Sequence, residues 1–246
     1  MSDEVPNMQA LILAGGKGTR LRPYTTVLPK PLMPVGDYPI LEIILRQLRG
    51  AGVSEVILAV GYMSQLFEAF FQDGSRYGLR IVYSFEEQPL GTAGPLALAL
   101  QRLNDDVLVM NGDLLTSLNY RRLFEYHKQH GAAATIGLYQ REAKIDFGVI
   151  ERDTDHRLIR YVEKPTYHFD VSMGVNVLHR DAIAPYLTPG KHLDLPDLMR
   201  SLVRDGHPVY CYQEPCCWLD IGRVEDYQVA TEIFEARRAE FLPGEP

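Results

Sequence analysis

The chain has 246 residues, 46% of them hydrophobic, and a formal net charge of −7. That length suits one large α/β domain with a sizeable core. The acidic balance argues against nucleic-acid or anionic-membrane binding, so any anion must meet a local basic site.

No apolar run reaches the roughly 18 residues of a membrane span. The acidic start MSDEVPNMQA has no apolar signal core, so a cytoplasmic protein is expected. Cys211, Cys216 and Cys217 form no CxxC pair and have no histidine at ligand spacing nearby. Reduced thiols are expected, with neither a disulfide nor a zinc site.

In chain order, MQALILA (8–14) reads as a buried strand ending at glycine. YPILEIILRQLRGAG reads as an amphipathic helix closed by Gly50 and Gly52. VSEVILAVGY is a strand, SQLFEAFFQDG a helix with Ser64 as its cap and a glycine stop, and LRIVYSFE a strand. GTAGPLALALQRL opens a helix, DVLVMNGD is a strand ending in Asp113, and YRRLFEYHKQHG is another helix. This alternation implies right-handed βαβ units and a Rossmann-like, doubly wound, mostly parallel sheet.

After Gly131 the pattern loosens into a smaller mixed region. AAATIGLYQ, FGVIERD, RLIRYVEK and VSMGVNVLHR read as strands, some antiparallel. Helices return at DLPDLMRSLVRDG and EDYQVATEIFEARRAEF. One domain is expected over 8–241, with tails at 1–7 and 242–246 and no second domain after the last helix.

The stretch LILAGGKGTRLRPYTTVLPKPLMPVG (11–36) follows the first strand. In open α/β sheets ligands sit outside the carboxyl ends of strands. Glycines there let backbone N–H groups approach a phosphate. The P-loop pattern GxxxxGK[ST] is absent, and the dinucleotide fingerprint GxGxxG fails at Leu21. A plain glycine turn with solvated cations remains an equal alternative. Lys30 tilts the balance, because Pro29 and Pro31 flank it and Pro31 predicts an extended backbone at the lysine. Arg20 as a fork and Lys30 as a point charge suit a polyphosphate.

This run meets every fixed position of GGxGTRLxPxTxxxPKPxxP and resembles the signature of the sugar-1-phosphate nucleotidyltransferases, the nucleoside-diphosphate-sugar pyrophosphorylases. Later motifs extend the likeness over nearly the whole chain. The resemblance implies the nucleotide-diphospho-sugar transferase type of fold, in which the mixed region binds the sugar. It implies an enzyme joining an NTP and a sugar 1-phosphate into an NDP-sugar, with pyrophosphate released. Leu13, Ala14, Gly15, Gly16, Gly18 and Thr19 would wrap the nucleotide, and Arg20 and Lys30 would hold its phosphates.

Other motifs carry the rest. EEQPLGTAGPL puts Gln88, Gly91 and Thr92 at a strand-to-helix junction, which a turn and cap explain as well. It resembles the family's base-binding loop, in wording nearest to mannose-1-phosphate guanylyltransferases. Gln88 could read the edge of guanine or thymine, and GTP with mannose 1-phosphate leads. Asp113 and Asp220 each end an apolar run, and together would suit Mg²⁺. Spacing does not show that they meet; the resemblance implies it. In YVEKP, an exposed turn is the plain alternative, while the resemblance makes Glu163 a sugar contact and Lys164 the catalytic grip on the sugar phosphate. It also makes Gly148, Gly174 and Asn176 sugar-binding. Many relatives carry an aromatic residue where Asn176 stands.

The histidines form no site in this reading: His127 and His130 are expected as a solvated pair on a polar helix face, and His168, His179, His192 and His207 in polar or turn contexts. In the reaction the resemblance implies, the attacking sugar phosphate oxygen is already an anion, so no general base is required; charge neutralisation and positioning carry the reaction. Rival readings are a glucose-1-phosphate thymidylyl- or uridylyltransferase, a heptose-phosphate guanylyltransferase, and a non-catalytic nucleotide-sugar sensor. The last predicts broken catalytic positions, yet all are present. The oligomeric state is left open, a homo-oligomer included.

Overall fold

Residues 8–222 and 224–243 of the chain are described by a computed structural model; the expected tail 1–7 and the last three residues of the tail 242–246 lie outside them. Strand β1 (Met8–Leu13) runs through short 3-10 turns and the ribbon β2 (Pro34–Val35) and β3 (Tyr38–Pro39) to helix α1 (Ile40–Ala51). Then follow β4 (Val53–Val60), α2 (Ser64–Phe71), β5 (Arg80–Phe85), α3 (Gly94–Ala99), β6 (Asp106–Asn111), β7 (Leu114–Thr116) and α4 (Tyr120–His130). The second half holds β8 (Ala134–Lys144), the hairpin β9 (Val149–Arg152) and β10 (Leu158–Val162), and the long β11 (Thr166–His179). It closes with α5 (Arg180–Ile183), α6 (Leu195–Arg204), β12 (Val209–Gln213), β13 (Trp218–Asp220), α7 (Val224–Ala236) and α8 (Arg238–Phe241).

Seven strands form one sheet in the order β12-β8-β11-β6-β1-β4-β5. Every pairing is parallel except the two made by β11, which runs against both neighbours. The central strands are apolar runs because helices cover both faces. On β1, Met8, Ala10 and Ile12 face one core with α1, α2, α4 and α7, while Leu11 faces the other with α3, α5 and α6. The doubly wound reading therefore holds.

The topology sets the site. The chain winds from β1 to β4 and β5 on one side, then returns to β6 on the other side of β1. A crevice opens outside the carboxyl ends of strands at such a reversal. The glycine loop leaves β1 there, and Asp113 follows β6 there.

Five local features differ from the sequence expectation. Ser64 is the first residue of α2 and makes no capping bond; Met63, in the left-handed region at φ 55°, takes the cap position, so the serine comes one residue late. Lys30 is not extended but opens a 3-10 turn, Lys30–Leu32, with Met33 N–H bonded to the Lys30 carbonyl at 3.0 Å. A one-turn helix asks nothing of the N–H that Pro31 lacks. The edge strand β12, VYCYQ, carries mostly exposed residues and shows no strand pattern in the sequence. His127 is buried, not solvated, bonded at 2.9 Å to Thr135 and at 3.3 Å to Asp106. His179 meets the same Asp106 oxygen at 2.8 Å. Leu242, at the start of the expected tail, is buried in the core.

Candidate active site

The loop after β1 is shaped by its own packing. Leu21, where a dinucleotide fingerprint wants glycine, is 1% exposed and anchors the loop to the core. Gly18 sits at φ 58°, and a side chain there would press on Thr25 and Lys30. The Thr25 hydroxyl donates to the Gly18 carbonyl at 2.7 Å and fixes the turn.

This loop lines a cavity of about 360 Å³. Leu13, Ala14, Gly15, Gly16, Gly18, Lys30, Gly91, Thr92 and Asp113 all contribute to it. Thr19 and Gln88 do not line it. Gln88 is exposed and stands outside the lining of this cavity, next to its lining residue Pro89. Gly91 packs closely, but against protein rather than a ring: at φ 78°, a Cβ would lie 2.6 Å from the Leu193 carbonyl oxygen. Thr92 lends its hydroxyl to the Leu195 N–H at 2.7 Å, which ties this loop to the start of α6.

Glu86 was missed. It follows β5, lines the cavity, and accepts the Leu90 N–H at 3.2 Å. Its carboxyl fills the space a Gly15 side chain would need, 2.6 Å from that Cβ position. Burial pushes the Glu86 carboxyl up from its ordinary value, against the Leu90 hydrogen bond. Its place at a strand end, opening the motif EEQPLGTAGPL, was the available signal.

Asp113 and Asp220 do meet. Strand β13 pairs antiparallel with β7, and its register sets Asp220 opposite Leu114, the residue after Asp113. The Thr116 hydroxyl donates to the Cys217 carbonyl at 2.7 Å and pins this ribbon. Lys30 Nζ stands between the two carboxylates, 2.5 Å from Asp113 Oδ2 and 3.7 Å from Asp220 Oδ1, with its side chain only 7% exposed. Two carboxylates converging on one cationic position fit Mg²⁺, which takes one or two carboxylates plus substrate oxygens and water. Among the described residues no cluster of three or more His, Cys, Asp or Glu is placed to hold a metal.

A second cavity, of about 440 Å³, opens on the other side of Asp220. Arg20 lies here rather than beside Lys30, with Tyr139, Arg141, Trp218 and Asp226. A Cβ at Gly222 would lie 3.5 Å from Arg20 Nη1, 3.6 Å from Asp226 Oδ2 and 3.7 Å from Asp220 Oδ2, so the guanidinium and two carboxylates flank the same glycine.

The residues expected to bind sugar fall into two groups. Gly174, at φ 72°, presses on Asn111 at the end of β6, and Asn176 is buried one step further along β11. Gly148, Glu163 and Lys164 belong to the β9–β10 hairpin and its exit, where Gly148 packs on the Tyr161 ring. The β8–β11 pairing runs from Leu138–Ser172 out to Lys144–Thr166. At about 3.3 Å per residue those six steps span roughly 20 Å, and Lys164 lies beyond them. Lys164 lines neither cavity.

A family model described as nucleotidyl transferase matches residues 9–237. The chain belongs to the nucleotidyl transferase family. It is 35% identical over 227 residues to a mannose-1-phosphate guanylyltransferase of Mycobacterium tuberculosis, covering 89% of this chain and 62% of that protein. It is 34% identical over 239 residues to a UTP–glucose-1-phosphate uridylyltransferase of Synechocystis, covering 89% and 61%. The chain thus spans about three-fifths of the length of these relatives. A solved Bacillus anthracis structure, described as a candidate glucose-1-phosphate thymidylyltransferase, superposes with a TM-score of 0.75 at 25% identity, covering 92% of this chain and 94% of that one. Like that solved structure, this nucleotidyl transferase chain carries an α/β fold. Among its described residues no helix is long and apolar enough to cross a membrane.

Proposed function

We propose that the chain transfers a nucleotidyl group from an NTP to a sugar 1-phosphate, giving an NDP-sugar and pyrophosphate. The observation that carries this is Lys30 Nζ held between Asp113 and Asp220 at the mouth of the glycine-lined cavity. The nucleoside fills that cavity, with its phosphates directed at Lys30. The sugar phosphate oxygen attacks the α-phosphorus in line, and pyrophosphate leaves on the opposite side. The attacking oxygen is already anionic, so no base is needed. Lys30 and Arg20 neutralise the triphosphate, and Arg20 faces the departing group. Mg²⁺, when held by Asp113 and Asp220, supplies neutralising charge to phosphate oxygens.

GTP with mannose 1-phosphate is the leading pair. Glu86 supports GTP. An ionised carboxylate only accepts hydrogen bonds. Guanine offers a ring N–H and an amino group side by side, whereas uracil and thymine offer one N–H between two carbonyls that would face the carboxylate. A site built to pair both donors rejects a base lacking one. The likeness to the Mycobacterium guanylyltransferase agrees; the likeness to the Synechocystis uridylyltransferase is nearly as close and keeps UTP with glucose 1-phosphate as the second reading.

The test is a matrix of GTP, UTP, dTTP, CTP and ATP against mannose 1-phosphate and glucose 1-phosphate, read by pyrophosphate release. GTP should win at equal low concentration. A tenfold or greater advantage of UTP or dTTP would replace the guanylyl reading with the second one (about 1.4 kcal/mol).

A further inference from the structure

Tyr139 and Arg141 lie on one face of β8, because side chains two residues apart on a strand point the same way. Both line the cavity beyond Asp220. Trp218 forms part of the same wall: its indole N–H donates to the Met173 carbonyl at 3.0 Å, and its ring centroid lies 5.3 Å from that of Tyr139. A fixed aromatic wall of this kind packs well against the C–H face of a sugar ring.

Arg20 and Arg141 bring two guanidinium groups to this cavity. Among the described residues neither guanidinium has an ion pair or a hydrogen bond. Guanidinium groups are planar forks matched to phosphate oxygens. Lys164, the cation expected to hold the sugar phosphate, stands on the far hairpin and lines neither cavity. Arg141 is therefore the cation that shares a cavity with both Asp220 and the aromatic wall on the sheet side, while Arg20 approaches from the loop side.

We propose that Arg141 binds the phosphate of the incoming sugar 1-phosphate in this cavity, across from Arg20 on the departing pyrophosphate. The proposal rests on the nucleotidyl-transfer reading above. In the step it serves, a bond forms between a sugar-phosphate oxygen and the α-phosphorus. The bond from the α-phosphorus to the bridging oxygen breaks, and its electron pair leaves with pyrophosphate. No proton transfer and no redox partner are required.

The experiment is calorimetric titration of the full chain with mannose 1-phosphate, glucose 1-phosphate and inorganic pyrophosphate, for wild type, Arg141→Gln and Arg141→Lys. Steady-state kinetics with each substrate varied run alongside. Arg141 is exposed, so both variants should keep the wild-type far-UV circular dichroism and melting temperature. The glutamine variant should weaken a sugar 1-phosphate by about ten- to hundredfold, the loss of one charge-assisted contact, and raise its KM alike. Pyrophosphate affinity and the KM for NTP should stay within about twofold, and lysine should recover part of the loss. Loss confined to pyrophosphate or NTP would put Arg141 on the leaving group and overturn the proposal. So would unchanged affinities, or a wild type that binds neither sugar phosphate. A wild type that turns over while Arg141→Gln behaves identically sinks only the role of Arg141. Arg141-dependent sugar-phosphate binding without pyrophosphate release from any NTP sinks only the reaction.

Discussion

Replacing Lys30 by methionine keeps an unbranched side chain one atom shorter and removes its charge. The ammonium lies 2.5 Å from Asp113 and 3.7 Å from Asp220. At an effective dielectric constant of about 20, the gross attractions are roughly 7 and 4 kcal/mol. Most of that is offset by the cost of desolvating an ammonium that is 7% exposed. Removing one partner of a fully buried pair costs about 3–5 kcal/mol. Here the carboxylates are 29% and 50% exposed, so water solvates them again once the lysine is gone. What remains is their mutual repulsion and the lost hydrogen bond, about 1–3 kcal/mol at neutral pH. For a chain of this size that lowers Tm by roughly 3–10 °C. The variant also leaves two carboxylates free to take a divalent cation. At tenfold excess over its Kd, Mg²⁺ should return about 1.4 kcal/mol to Lys30→Met, but less to wild type, where Lys30 competes for the same oxygens. Thermal unfolding with and without Mg²⁺ reads both effects. A variant as stable as wild type, or one with the same response to Mg²⁺, would refute the reasoning.

Other perturbations test separate parts of the site. Glu86→Gln should raise the KM for GTP by about ten- to hundredfold while UTP and dTTP suffer less, checked by NTP competition; an unaltered preference removes Glu86 from base recognition. Asp220→Asn preserves shape and removes a charge, so kcat should fall by roughly 10²–10³, and a chelator should abolish wild-type turnover; normal turnover in either case removes the metal assignment. At Asp106, burial pulls the carboxyl up, but the hydrogen bonds from His127 and His179 outweigh it and hold the group below its ordinary 3.8. A depressed folded value stabilises above the unfolded value and is lost as pH falls through the folded one. Asp106→Asn should therefore cost about 1–3 kcal/mol at neutral pH, with the deficit closing below pH 3.8, followed by denaturant unfolding across pH. A deficit that persists unchanged in acid contradicts the linkage.

The parts of the fold that strands and helices spell out repeatedly were legible. β1, β4 and β6 read as strands because burial on both faces makes them continuous apolar runs. The glycine loop and its place at a strand end were legible for the same reason. What a one-dimensional pattern does not carry is which distant residues meet. Asp220 reaches Asp113 only through the β13–β7 register, and Lys164 stays away because β11 continues straight along β8 to Thr166. His127 was readable after all. Tyr120, Leu123, Phe124 and His127 fall at helix-face spacing and are all buried, so the histidine belongs to the inward stripe of α4. The likeness of EEQPLGTAGPL to a base-binding loop points to Gln88, whose amide offers both donor and acceptor; that Glu86 lines the cavity and Gln88 does not is set by how the chain turns after β5, which the sequence pattern does not carry.

The central claim is that a sugar phosphate attacks the α-phosphorus of an NTP at the Lys30–Asp113–Asp220 cluster. Its most direct test is to incubate the chain with Mg²⁺, GTP and mannose 1-phosphate, with UTP and glucose 1-phosphate in parallel, and identify every product by mass. The account predicts one NDP-sugar for each pyrophosphate released, and neither product when the sugar phosphate is left out. Release of inorganic phosphate with NDP, or of NMP without an NDP-sugar, would contradict it.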